Sequence, residues 1–155
     1  MIFRLVFFTF VIVSLINSYL DLKTMEVSLI VNYIGILISV VLYFISSPQL
    51  LIRNLLGSFI LFLVFVLVWK ITRKGLGWGD IHYSIYCGLI SGFPGFIFSG
   101  IITSLIGLLL FLIMKLISNK KNVKNIKVPF IPIMFAGTMC GMALPDSFIM
   151  KILNI

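Results

Sequence analysis

Six apolar runs organise this chain, at roughly 3–20, 27–46, 54–70, 81–93, 96–117 and 128–145. About 20 apolar residues is the length of a helix that crosses a bilayer. Lipid leaves no backbone polar group a partner outside the protein, so only helices and closed barrels can span it. The apolar–polar alternation of a barrel strand is absent from these runs. A soluble domain is also excluded: 61% of the 155 residues are hydrophobic and only 10% are charged, where a soluble domain carries about a quarter charged. The expected fold is an all-α polytopic membrane protein with about six transmembrane helices, forming one membrane domain over residues 1–155.

The fourth run, "IHYSIYCGLISGF", is short and holds small and polar residues. It ends at "GFPGF", where Pro94 between glycines reads as a tight turn. Charge supports counting it as a span. With six spans, Lys23, Lys70, Arg73, Lys74, Lys115, Lys120, Lys121, Lys124 and Lys127 fall on one side, against Arg4, Arg53 and Lys151 on the other. The basic-rich side is expected to be cytoplasmic, with both termini outside. The net charge of +8 thus serves orientation and anionic lipid, not nucleic acid. No small-x-small cleavage site follows the first apolar core, so that run is read as a retained span.

Ionisable residues are few. Cys87 and Cys140 lie apart inside apolar runs and read as packing residues, and His82 is the single histidine, so no zinc site is expected. Four acids exist. Asp21 ends the first span and Asp80 opens the fourth, both on the expected cytoplasmic side; Glu26 follows Asp21, and Asp146 falls on the far side. Ser14, Asn17, Ser18 and Asp21 share one helix face, as do Asp80, Ser84, Cys87, Gly88 and Ser91. Polar groups in a spanning helix turn to the bundle interior, and small faces let helices approach closely. If these two faces pack together, the carboxylates meet. Asp80 also fits a helix cap, because glycine precedes it and an apolar helix follows. Gly77 and Gly79 offer positive φ and close approach of another chain.

The stretch "GLGWGDIHY" contains Gly77-Trp78-Gly79-Asp80, a GxGD pattern. "YLDLKTMEVS" places Asp21, Lys23 and Thr24 after the first span, and "KVPFIPIMFAG" supplies Pro129, Phe130, Pro132 and Gly137 at the start of the sixth. In this order the three blocks resemble the type IV prepilin peptidase family of GxGD membrane aspartyl proteases, in a short form without a methyltransferase segment. Val27 stands for the family's usual Ile, Ser28 for a proline, and His82 for a lysine.

The resemblance implies an aspartic-type endopeptidase of the cytoplasmic (inner) membrane, active site facing the cytoplasm. Its partners would be the bilayer and a prepilin-like membrane protein of a pilus or secretion system, whose basic leader it removes. Asp21 and Asp80 would be catalytic, and no metal or organic cofactor is implied. Gly77, Gly79, Lys23, His82, Pro129, Phe130 and Pro132 would form the supporting loops. His82 is either a third acid–base group or an interfacial polar residue, and Glu26 is the candidate contact for a basic leader. Three other readings stay open: a presenilin-like protease cutting within spans, a small proton- or ion-coupled transporter using the two acids, and an inactive assembly protein.

Overall fold

The computed structural model describes residues 2–71, 76–117 and 129–143, and every regular element among them is a helix. The order is α1 (Ile2–Thr24), α2 (Leu29–Ser46), α3 (Pro48–Ile71), α4 (Trp78–Ile117) and α5 (Ile131–Ala143). This is an all-α polytopic membrane protein. By length and composition α1, α2 and α3 can each cross a membrane, while 95–110 and α5 are shorter apolar helices. Arg73, Lys74, Gly75, Asp146, Lys151 and the lysines at 120–127 lie outside the described residues.

The helix ends follow from local chemistry. Ser28 caps α2, its Oγ accepting the Val31 N–H at 3.4 Å. Ser47 separates α2 from α3 by a single residue: its N–H donates to the Tyr43 carbonyl at 2.8 Å, and its carbonyl accepts from Leu51 at 3.2 Å. Pro48 then opens α3, where a missing N–H costs nothing. The span expected at 54–70 therefore begins six residues earlier. Helix α4 contains the two expected spans, joined at a break rather than at a turn centred on Pro94. Gly92 (φ 61°, ψ −178°) and Phe93 (φ −93°, ψ 129°) leave the helix. Phe93 is extended because a proline follows, and Gly92 takes an angle open to glycine, with the Asn54 Oδ1 lying where a β-carbon would point. The chain doubles back here. Before the break Ser58 donates to the Ile85 carbonyl at 2.8 Å. After it, Ser99 and Thr138 hydroxyls meet at 3.2 Å.

The bundle buries many polar side chains beside an apolar core that includes Phe10, Tyr86, Leu89 and Ile131, and its outer face is apolar. Ser14, Asn17, Asn32, Ser39, Ser84 and Thr138 are fully buried, while Phe8, Ile12, Ile30, Leu37, Phe59 and Leu67 face outward. In water such a surface would aggregate; in lipid it costs nothing. Some inner hydroxyls bond within their own helices, as Ser84 does on the Ile81 carbonyl and Ser91 on that of Cys87, each at 2.7 Å.

The small face of α4 does not pack on the polar face of α1. Gly88 meets α3 instead: a β-carbon there would lie 2.6 Å from the Ser58 Cα. Backbones touch at that crossing, and only glycine fits. Helix α1 is held off by the ring of Tyr83, whose hydroxyl donates to Ser14 at 2.6 Å. Gly137 and Gly141 pack closely on Ser99 and the second half of α4, as packing glycines should.

Candidate active site

Asp21 lies in the last turn of α1, 5% exposed, on the buried face of Ser14, Asn17 and Ser18. Its Oδ2 accepts the N–H of Ile131 at 2.9 Å, across to the start of α5. The backbone of Phe130 also hydrogen-bonds this carboxylate. Ile131 is the first residue of α5, so its N–H has no partner inside the helix. Pro129 and Pro132 flank the two donors and carry no N–H themselves. The P-F-I-P run therefore offers two consecutive amides, and Asp21 takes them.

Asp80 is the third residue of α4, just before the apolar span at 81–93. Its N–H donates to the Gly77 carbonyl at 3.2 Å, and its carboxylate accepts from the Gly77 backbone. This is the acidic half of a capping box. Asp80 thus caps α4 from the third helical position, not as the residue before the helix. Burial pushes its carboxyl up to about 7; the neighbouring charge of Asp21 adds to the rise, and the Gly77 bond opposes it. Two acids from separate helices thus come close enough for one charge to bear on the other.

The glycines before Asp80 do not use positive φ; among the described glycines only Gly92 does. Their role is close approach. A β-carbon on Gly79 would lie 2.7 Å from Val27 Cγ2, and one on Gly77 2.9 Å from Asp80 Oδ2. Ser28, in the place of a proline, has φ −74°, an angle proline also takes. Its N–H donates to Asn17 Oδ1 at 3.1 Å, a bond proline could not make.

The other expected residues spread around the pair. His82 turns from Asp80 toward α2: its Nδ1 shares a 2.6 Å hydrogen bond with the Tyr33 hydroxyl, and its ring meets Trp78 edge-on at 5.3 Å. Trp78 in turn packs on Trp69, at 5.5 Å. Lys23 is exposed, its ammonium 5.8 Å from the Tyr19 ring centre. Phe130 packs on Phe65 and against Gly107. Glu26 is exposed in the connection after α1. Two contributors escaped the sequence reading. Asn32, a polar residue inside an apolar run, donates to the His82 carbonyl at 3.0 Å and ties α2 to α4. Ile131 acts through its backbone, which no side-chain pattern records. Among the described residues no three His, Cys, Asp or Glu side chains group as metal ligands.

Residues 7–112 match the type IV leader peptidase family. The chain belongs to this family. Membership makes it a membrane-embedded peptidase of the leader-removing kind. The matched stretch of this leader peptidase contains both Asp21 and Asp80 and ends before the 129–132 block. No curated protein and no solved structure matches the chain.

Proposed function

We propose that this leader peptidase is an aspartic-type endopeptidase that removes the basic leader of type IV prepilin-like membrane proteins, using Asp21 and Asp80 on one water. One observation supports the reading: Asp21 and Asp80, 59 positions apart in sequence, lie at one end of the bundle, where Val27 of the connection after Asp21 packs on Gly79 beside Asp80. Only four acids exist in the chain, and two of them lie at that end.

Peptide hydrolysis needs a nucleophilic water and a polarised carbonyl. Two neighbouring carboxyls do not both ionise readily, so they hold one proton between them. The ionised member takes a proton from water as it attacks the carbonyl carbon. The protonated member donates to the carbonyl oxygen; as the C–N bond breaks, the proton taken from water passes to the leaving amine and the intermediate's hydroxyl returns its proton to the other carboxylate. The carboxyls sit at a span boundary, which suits cleavage between a leader in water and a segment in lipid. Lys23 and Lys70 end their helices on the side of Asp21 and Asp80, while Arg4 and Arg53 begin theirs at the other. That bias supports a cytoplasmic active site in the inner membrane with outside termini, and contact of the basic end with anionic lipid.

Co-expression with a type IV prepilin tests the proposal. Leader removal appears as a mobility shift with a new amino terminus. Asp21→Asn and Asp80→Asn each abolish it while the protein still accumulates in the membrane. Processing at the normal rate by either variant ends the proposal.

A further inference from the structure

We propose that the backbone N–H of Ile131 is a positioning group that fixes the Asp21 carboxylate and favours its anion. The inference rests on the dyad reading above and adds a third element, the amino end of α5, to the site.

The geometry is specific. The Ile131 N–H meets Asp21 Oδ2 at 2.9 Å, and the residue is fully buried, so water does not compete for the donor. The Phe130 backbone joins it on the same carboxylate. Amide donors and the positive end of a helix both favour the anion. Helix α5 is itself anchored: the Phe130 carbonyl accepts from Met134 at 3.0 Å, Thr138 meets Ser99, and Phe135 packs on Phe10 of α1, ring centres 5.7 Å apart. The amide is therefore fixed before substrate arrives, and the carboxylate it holds is fixed with it. This gives the two acids different surroundings. Asp21 is tied to a helix packed against it, whereas Asp80 is bonded to Gly77 of its own loop. Unequal surroundings assign base and acid in a carboxylate pair: Asp21 becomes the base toward water, and Asp80 carries the proton.

Among the described residues no ionisable side chain hydrogen-bonds or ion-pairs with Asp21. Asp80 is the group facing it from α4, while His82 is bonded to Tyr33 and Tyr83 to Ser14. On α1 Lys23 lies over Tyr19, and Glu26 beyond it is exposed. On α5 the described ionisable residue is Cys140, which is exposed.

Ile131→Pro tests the inference, because it deletes one N–H at the first helical position, where proline is favoured. Without that donor the Asp21 anion is less favoured. The acidic limb of kcat/KM for prepilin cleavage should move up by about one pH unit, so that the loss approaches ~10-fold on the acid side of the limb and fades toward neutral pH. Ile131→Val keeps the N–H and keeps the limb at its wild-type position. An unmoved limb in Ile131→Pro, or an equal loss at every pH, overturns the inference while leaving the dyad intact. If the proline variant does not accumulate, a backbone ester at 131 removes the same N–H and is read identically. The contact is also read without activity. Ile131→Pro should lower the melting temperature in detergent in the wild-type background and not in Asp21→Ala, and an equal drop in both contradicts it. Wild type that cleaves no prepilin, yet shows this melting pattern, refutes the dyad reading and leaves the contact standing.

Discussion

Val27 sits on Gly79: a methyl added to the glycine would fall 2.7 Å from Val27 Cγ2 and 2.8 Å from its Cβ. The connection that follows Asp21 thereby fixes the height of the turn that carries Asp80. Each acid's neighbourhood acts as a wall for the other's.

Gly79→Ala should therefore push the Asp80 turn away from Val27 and the α1–α2 connection. An error near 1 Å in a catalytic group costs about 100-fold, and a loss of that order in leader cleavage is expected. Val27→Gly clears both contacting carbons and should restore much of the rate. A double variant no better than Gly79→Ala, measured by initial rates, refutes the contact as the cause.

Gly77→Ala acts differently. The backbone of Gly77 tolerates a side chain, since its φ is not positive. Its added methyl would stand 2.9 Å from Asp80 Oδ2 and turn the carboxyl aside. The variant should fold with a near-normal melting temperature and lose at least ~10-fold in kcat, with KM little changed. A fall in KM alone would mean that the glycine serves something other than Asp80.

The crossing of α3 and α4 depends on Gly88, whose added β-carbon would meet Ser58 Cα at 2.6 Å and the Gly57 carbonyl at 2.8 Å. These are backbone atoms and cannot rotate away. Gly88→Ala should cost on the order of 1–3 kcal/mol, read as a lower melting temperature in detergent. The same substitution at Gly100, where the nearest atom is Leu61 Cδ1 at 3.7 Å, should cost far less.

Much of this was legible from residue letters, and the failures have causes. The apolar runs gave α1 and α2 closely, because lipid enforces length. The start of α3 lies before the apolar run at 54–70, because Pro48, Gln49 and Arg53 are not part of an apolar pattern, although proline at a first helical position needs no N–H. Asp21 and Asp80 stood out because acids are so scarce here. The partner of Gly88, Ser58 of α3, is not readable from letters, because a small face states that something approaches closely and not what does. Of the two uses expected of Gly77 and Gly79, positive φ and close approach, the structure shows only the second. The hold on Asp21 left one trace, the paired prolines at 129 and 132, whose meaning appears only when the amides between them are seen.

Asp80 sets a pH dependence. Its carboxyl rises from an ordinary 3.8 to about 7, chiefly through burial. Between those values the folded chain holds a proton the unfolded chain has lost. The stability this contributes is complete below about 3.8 and is lost as pH climbs through about 7. Asp80→Asn cannot ionise, so its melting temperature should gain on wild type between pH 5 and pH 8. In wild type, kcat/KM should fall on the alkaline side with a midpoint near 7, as the acid loses its proton. A constant melting difference across that range would contradict the buried, coupled carboxyl.

The most direct measurement is the rate of leader cleavage by Asp21→Asn, Asp80→Asn and the double variant, at equal amounts of folded protein. Groups that share one proton fail together. Each single variant should lose ~1,000-fold or more, and the double variant should lose no more than either. A single variant that keeps a tenth of the rate, or a double loss equal to the product of the single losses, would contradict a catalytic pair.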